Sequence, residues 1–260
     1  MLFDRLHRGS AVLWAAGTGI LAATAIALTV GSPAAAPADD DAQIAKSLST
    51  MLQAGRTVVS RHQNTINDAN LANKGFDART VLTEANKIYQ DAAGVDPMSI
   101  DANSRHGKLI RMQMDAISEV ISAHQETINR KGVGFKGFIP AVFGRLTNEA
   151  FGRRAVGLAE MKVTAPQQFI RNIKAKADDW ESGVIRDKLL LASWPKDQIF
   201  AAEATAKGKN AHRTAVPEYY GASCLSCHGS PQGEIDITGY PKEGGKVGDL
   251  GGVISITLFK

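Results

Sequence analysis

Apolar residues recur at alternating steps of four and three in two separate stretches of the chain. One series consists of Ile110, Met114, Ile117, Ile121, His124 and Ile128, and the other of Leu48, Leu52, Gly55, Val59, His62 and Ile66. This spacing places each series on one face of an α-helix. The pattern predicts two long amphipathic helices whose apolar faces, both histidines included, are directed into the protein.

The two series belong to an internal repeat. The stretch from Ala45 to Phe151 aligns with itself without gaps at an offset of 62 residues, and 13 of the 45 aligned positions are identical, which is too many for chance. Each copy has a helix, a Lys-Gly-Phe break and a second helix, predicted from about Ala78 to Ala92 and from about Pro140 to Arg153. Two copies are too few for a solenoid, so a duplicated helical hairpin is expected.

The pattern changes in the C-terminal third. A short helix is predicted around Asp178 to Glu181, and β-like runs extend from Gln198 to Thr205 and from Ala211 to Val216, with a turn at 207–210. The run from Val253 to Phe259 is β-branched and apolar, which favours a buried closing strand. Helices followed by an antiparallel sheet predict an α+β domain.

The first 38 residues have the composition of an export signal. Arg5 and Arg8 precede an apolar run from Ala11 to Val30, and small residues follow before Asp39. This order is typical of a cleaved signal peptide, and an uncleaved N-terminal membrane anchor is the alternative. Both predict a periplasmic location. The expected organisation is a signal or anchor at 1–38, a helical extension at 39–98 and a C-terminal domain at 99–260.

Charge and composition exclude some functions. The formal net charge is +4, of which the predicted leader takes one, and this mild excess does not favour nucleic acid as a partner. No residue pattern marks a general acid–base group, so no enzymatic activity is predicted.

The chain has two cysteines, and both lie in one pentad: Cys224, Leu225, Ser226, Cys227 and His228. The C-x-x-C-H spacing is the attachment motif of c-type haem, in which the thiols bind the porphyrin vinyl groups and the histidine faces the iron. A thioredoxin-like pair would require a βαβ unit, and a structural zinc would require further ligands. The pentad therefore predicts one covalent haem c, and attachment on the periplasmic side agrees with the export signal.

A second axial ligand of the usual kind has to come from upstream, because no Met, His or Cys follows His228. The candidates are Met51, Met98, Met112, Met114, Met161, His62, His106, His124 and His212. We predict His124, which lies on the apolar stripe of the repeat nearer the pentad. The alternatives are that His124 is a hydrogen-bonded structural residue, that the methionines fill the core, and that His62 is a relic of the duplication. His106 and His212 have polar neighbours and are expected to be solvated.

Four segments of the second half resemble a known family. They are FKGFIPAVFGR at 135–145, SCLSCHG at 223–229, DITGYPKEG at 236–244 and GDLGGVISI at 248–256. Together they are similar to the bacterial periplasmic PAS-like c-type haem domains, long catalogued as a domain of unknown function and often the sensor part of histidine kinases and chemoreceptors. The resemblance covers roughly Leu109 to Lys260. It implies a PAS-like antiparallel sheet with flanking helices, haem at the pentad and a distal ligand at the position of His124. The first hairpin is expected to lie outside the usual domain.

Two functions are therefore expected. The first is a periplasmic haem protein that senses redox state or a small gaseous ligand through the iron, acting through a separate partner protein. The alternative is a monohaem electron-transfer cytochrome with a six-coordinate iron and a redox partner protein. The helical stripes also allow a homodimer.

Overall fold

The structure is a computed structural model that describes residues 40–260, so the predicted leader at 1–38 lies outside the described residues. The helices in this region are α1 (Asp41–Arg61), α2 (Gln63–Asn67), α3 (Ala78–Ala93), α4 (Arg105–Ala123), α5 (Gln125–Asn129), α6 (Pro140–Arg154), α7 (Asp179–Val184) and α8 (Leu225–His228). The strands are β1 (Ala159–Thr164), β2 (Phe200–Ala206), β3 (Lys209–Tyr219) and β4 (Leu250–Phe259). The predicted α+β class is confirmed. Within 40–260, no helix combines the length and hydropathy that crossing a bilayer requires.

The duplicated hairpin is present, and its second helices, α3 and α6, match the predicted ranges closely. Its first helices end earlier than the apolar stripes suggest. α1 ends at Arg61 and α4 at Ala123, and His62 and His124 are the residues at which each helix stops before a short second segment. The stripes are therefore broken at the two histidines, both of which are partly exposed rather than directed into the core.

The two copies hold each other through reciprocal hydrogen bonds. The Gln63 side chain donates to the Phe138 carbonyl at 3.0 Å, and the Gln125 side chain donates to the Phe76 carbonyl at 2.9 Å. The backbone amides of the lysines in the two breaks likewise donate to asparagine side chains of the other copy, at 3.1 and 2.9 Å. Because each bond and its counterpart differ by the same 62 residues, the hairpins pack as the two halves of an isologous pair.

The four strands form one antiparallel sheet with the order β1-β4-β3-β2. β2 and β3 are joined by a two-residue turn at Lys207 and Gly208, whose φ angles of 50° and 74° are those of a type I′ hairpin turn. β4 is central and almost completely buried, as predicted for the closing run. β1 was not predicted.

The core lies mainly between the helices and one face of this sheet. It includes Leu48, Ile117 and Phe143 from the hairpins and Ile254 and Ile256 from β4, all fully buried. A smaller cluster around Val184, Ile185 and Val253 covers the other face. The main core is continuous across the predicted boundary between 98 and 99, so both hairpins support the sheet.

Candidate functional site

The cysteine–histidine pentad follows β3 directly. The register between β3 and β4 shifts at Glu218 and Tyr219, an irregularity that redirects the strand just before the pentad. Cys224 is the last residue of a short 3₁₀ turn, and Cys227 and His228 lie on the single turn of α8. Both thiols are free and partly buried. The pentad is thus held at one end of the sheet, beyond the last residue of β3, with both cysteines partly exposed.

The imidazole of His228 is fixed on two sides. The Tyr220 ring stacks on it with a centroid distance of 5.0 Å and an interplanar angle of 19°. Glu243 Oε2 lies 2.9 Å from His228 Nδ1. A carboxylate only accepts hydrogen bonds, so Nδ1 carries the proton and the Nε2 lone pair is available to a metal.

The Tyr220 ring occupies space that is available only because residues 245 and 251 are glycines. A Cβ at Gly245 would lie 2.6 Å from Tyr220 Cε2, and one at Gly251 would lie 2.7 Å from Tyr220 Cζ and closer still to neighbouring ring atoms. Burial raises the pKa of Tyr220, so its hydroxyl stays protonated at neutral pH. The ring that supports His228 is therefore closely enclosed.

Arg171 connects the pentad to two carboxylates, the buried Asp236 and the partly buried Glu243. It donates to both oxygens of Glu243, to Asp236 Oδ2 at 2.6 Å and to the Cys227 carbonyl at 2.7 Å. Burial alone would raise the pKa of Asp236 and Glu243, but hydrogen bonds, from Thr238 and Arg171 to the former and from Arg171 and His228 to the latter, outweigh it and lower both pKa values. Both groups are carboxylates at neutral pH.

A cavity of about 970 Å³ opens beside the pentad. Cys224, His228 and Tyr220 lie on one part of its wall, and α1, α6, β1 and the segment at 165–175 supply others. Its volume is at the upper end of the roughly 300–1,000 Å³ usual for cofactor and ligand sites.

Three residues that line this cavity have buried polar atoms without a hydrogen-bond partner. Within 40–260, both amide atoms of Asn148, Thr164 Oγ1 and the Tyr220 hydroxyl are buried and have no hydrogen-bond partner, and all three residues line the cavity. Buried polar atoms in proteins almost always have a partner, so these atoms agree with a ligand in the cavity, although other unpartnered buried atoms, such as Thr214 Oγ1, lie elsewhere in the protein.

A family model described as Tll0287-like matches residues 35–258. The chain belongs to the Tll0287-like family. No curated protein and no solved structure matches the chain. The match to the Tll0287-like model includes both hairpins, so the first hairpin is part of the family's domain, which corrects the expectation that the resemblance begins near Leu109.

In this Tll0287-like chain, His124 does not line the cavity. It ends α4, its Nδ1 donates to the Val120 carbonyl at 2.8 Å, and its ring packs on Phe138 at 5.1 Å. The equivalent residue of the first copy, His62, packs on Phe76 in the same way at 5.0 Å. The shared arrangement supports a structural role for His124 at the end of the helix, and we do not carry it forward as an iron ligand.

Among the nine upstream candidates, Met161 alone lines the cavity. Its thioether accepts a hydrogen bond from Gln113 Nε2 at 3.6 Å. His106 is buried at the start of α4, and His212 on β3 has only 14% of its side chain exposed and is bonded to Glu203. The expectation that these two histidines are solvated was wrong.

A second group of potential metal ligands lies outside the cavity. Asp41, Glu203 and His212 have ligand atoms within 4.8 Å of one another. Asp41 already pairs with Arg105 and Lys260, whose positive charges oppose binding of a cation. We assign no metal to this cluster.

The sequence-based predictions of site residues do not include three residues that shape the site: Tyr220, Arg171 and Glu243. Arg171 and Glu243 are 72 residues apart, so no local period links them. A weak signal existed for Glu243, which lies in one of the four segments that carry the family resemblance. β1 also had a signal, because apolar Ala159, Met161 and Val163 alternate with charged residues.

Proposed function

We propose that this protein is a periplasmic carrier of one covalent haem c, bound through Cys224 and Cys227 with His228 as an axial ligand, and that it senses redox state or a small gaseous ligand through the iron. The observation that carries the proposal is the position of the C-x-x-C-H pentad on the wall of a large cavity, with the His228 Nε2 lone pair available. Haem supplies the redox and ligand-binding chemistry that no side chain of the protein provides.

The lining of the cavity fits this group. Its volume is sufficient, and the apolar side chains of Val142, Val163 and Phe169 suit a porphyrin. Arg145 and Lys174 also line the cavity and would provide positive charge for the propionates. Family membership agrees with a haem-sensing domain, and the predicted export signal agrees with attachment in the periplasm.

Asn148 favours sensing over simple electron transfer. Its side-chain amide is buried in the cavity wall and has no hydrogen-bond partner within 40–260, so a small movement of the side chain would allow it to donate to a ligand bound at the iron. Among the histidines of residues 40–260, only His228 lines the cavity. This lining favours a sixth position that is open or held by a displaceable ligand.

Met161 favours the alternative, a monohaem electron-transfer cytochrome. A thioether in the same cavity could close the sixth coordination position, and a permanently six-coordinate iron exchanges electrons without binding gases. The two functions therefore differ in whether the sixth position opens.

Attachment is tested by producing the protein in a bacterium that matures c-type cytochromes. The wild type is expected to retain haem after denaturation, and the double variant Cys224→Ser/Cys227→Ser is expected to lose it. Ser226→Ala, an exposed position inside the same pentad, is the matched control and should retain haem. Wild-type protein recovered without porphyrin would overturn the proposal.

The sixth position is tested by adding carbon monoxide to the reduced protein. A shift of the Soret band at micromolar gas supports sensing. No shift in the wild type, together with a shift in Met161→Ala, supports the electron carrier instead.

A further inference from the structure

Glu243 is placed to act on the iron through His228. Its side chain is only 11% exposed, and its Oε2 accepts from His228 Nδ1 at 2.9 Å. Arg171 holds the same carboxylate from the other side, with Nη2 3.0 Å from Oε2 and Nε bonded to Oε1. The imidazole therefore faces a partly buried, oriented anion rather than a neutral carbonyl.

A carboxylate partner changes what a histidine ligand donates to a metal. A hydrogen bond to a charged acceptor is stronger than one to a neutral acceptor, and it draws the Nδ1 proton away from the ring. The ring then becomes more basic at Nε2, the atom that binds the metal. Greater electron donation stabilises ferric over ferrous iron and lowers the reduction potential.

The surrounding contacts separate this effect from simple anchoring. Tyr220 stacks on the imidazole, and the Gly245 amide donates to the His228 carbonyl at 2.8 Å. The ring and backbone of His228 thus have supports that do not involve the Glu243 carboxylate. Replacing Glu243 by glutamine keeps the size of the side chain and an oxygen that can accept from Nδ1; it removes the charge and one of the two oxygens that accept from Arg171.

We propose that Glu243 is a positioning residue that polarises His228 and lowers the reduction potential of the bound haem. The inference rests on the proposed function, because it requires an iron on Nε2. It adds a determinant of the potential at which the protein would respond, and it assigns Arg171 the task of orienting the carboxylate.

The test compares midpoint potentials of haem-loaded wild type, Glu243→Gln and Asp236→Asn by spectroelectrochemical titration. Asp236 is the matched control, since it is a buried carboxylate paired with the same Arg171 and makes no hydrogen bond to His228. Glu243→Gln is expected to raise the potential, and by more than Asp236→Asn does. Glu234→Gln, at an exposed residue paired only with Lys242, should leave the potential unchanged.

Two results would overturn the inference without touching the proposed function: an unchanged potential in fully loaded Glu243→Gln, or equal rises in Glu243→Gln and Asp236→Asn. The second would assign the effect to net charge and not to the hydrogen bond. If Glu243→Gln fails to accumulate, Glu243→Asp keeps the charge but shortens the side chain, and it must also raise the potential. A wild type that lacks haem would overturn both proposals together.

Discussion

A methyl group at Gly251 tests whether Tyr220 is held as tightly as the geometry indicates. The Cβ of Gly251→Ala would lie 2.7 Å from Tyr220 Cζ, inside van der Waals contact, and the ring is bounded on its other edge by Gly245. The ring cannot move without losing its stack on His228. Overpacking of this kind costs roughly 1–3 kcal/mol of folding free energy.

The same substitution should be harmless when the ring is absent. Gly251 has no positive φ, so alanine fits its backbone conformation. In a Tyr220→Ala background the added methyl has space, and the lower entropy of the unfolded chain should make the substitution neutral or stabilising by about 0.4–1 kcal/mol. The expected coupling energy between the two positions is therefore about 2 kcal/mol.

The assay is a double-mutant cycle from urea unfolding followed by far-ultraviolet circular dichroism. Gly152→Ala is the control, because it lies inside α6 with no atom within 4 Å of the added methyl and should stabilise by about 0.5–1 kcal/mol. An equal loss from Gly251→Ala in both backgrounds would refute the packing argument. The argument would also be refuted if Gly251→Ala left the free energy of unfolding unchanged in the wild-type background.

Three further predictions concern the cavity, the repeat and the loss of stability at low pH. Asn148→Leu removes a buried amide that lacks a partner, so the free energy of unfolding should rise or change by less than about 1 kcal/mol, and the carbon monoxide affinity of the reduced protein should change. A large loss of stability would show that the amide has a partner within the fold. Gln63→Ala and Gln125→Ala each remove one of two equivalent hydrogen bonds between the hairpins and should each cost about 1 kcal/mol in urea unfolding, whereas clearly unequal losses would contradict the symmetric packing. The pKa of Asp236 is lower in the folded protein, so the stabilisation that this carboxylate provides is present above the unfolded pKa of about 3.9 and is lost as the pH falls. The difference in free energy of unfolding between wild type and Asp236→Asn should therefore be larger at pH 7 than at pH 3. A difference that does not change with pH would contradict the pairing with Arg171.

Local patterns predicted the helical part of the fold well. The apolar spacing and the repeat placed α3 and α6 almost to the residue, because amphipathic periodicity and the Lys-Gly-Phe breaks are both short-range signals. The pentad is equally local, since its chemistry depends on residues within five positions. Fold class followed from the order of these elements.

The rest of the site depends on contacts that sequence order does not encode. The prediction of His124 as a ligand rests on the apolar stripe that includes it, but α4 ends at Ala123 and the His124 ring packs on Phe138. Met161 was in the candidate set, yet nothing indicated that β1 would bring it to the cavity. Arg171 reaches Glu243 and Cys227 only after the loop following β1 folds over the pentad.

The reciprocal bonds between the hairpins have a consequence for how this protein can diverge. Each hairpin is stabilised by hydrogen bonds from the other, so residues of one copy can change while the other copy keeps the shared packing. Asn148 on α6 borders the cavity, whereas its counterpart Asn86 on α3 does not. The duplication has therefore given one ancestral position two different surroundings, and the later copy is the one placed beside the cavity.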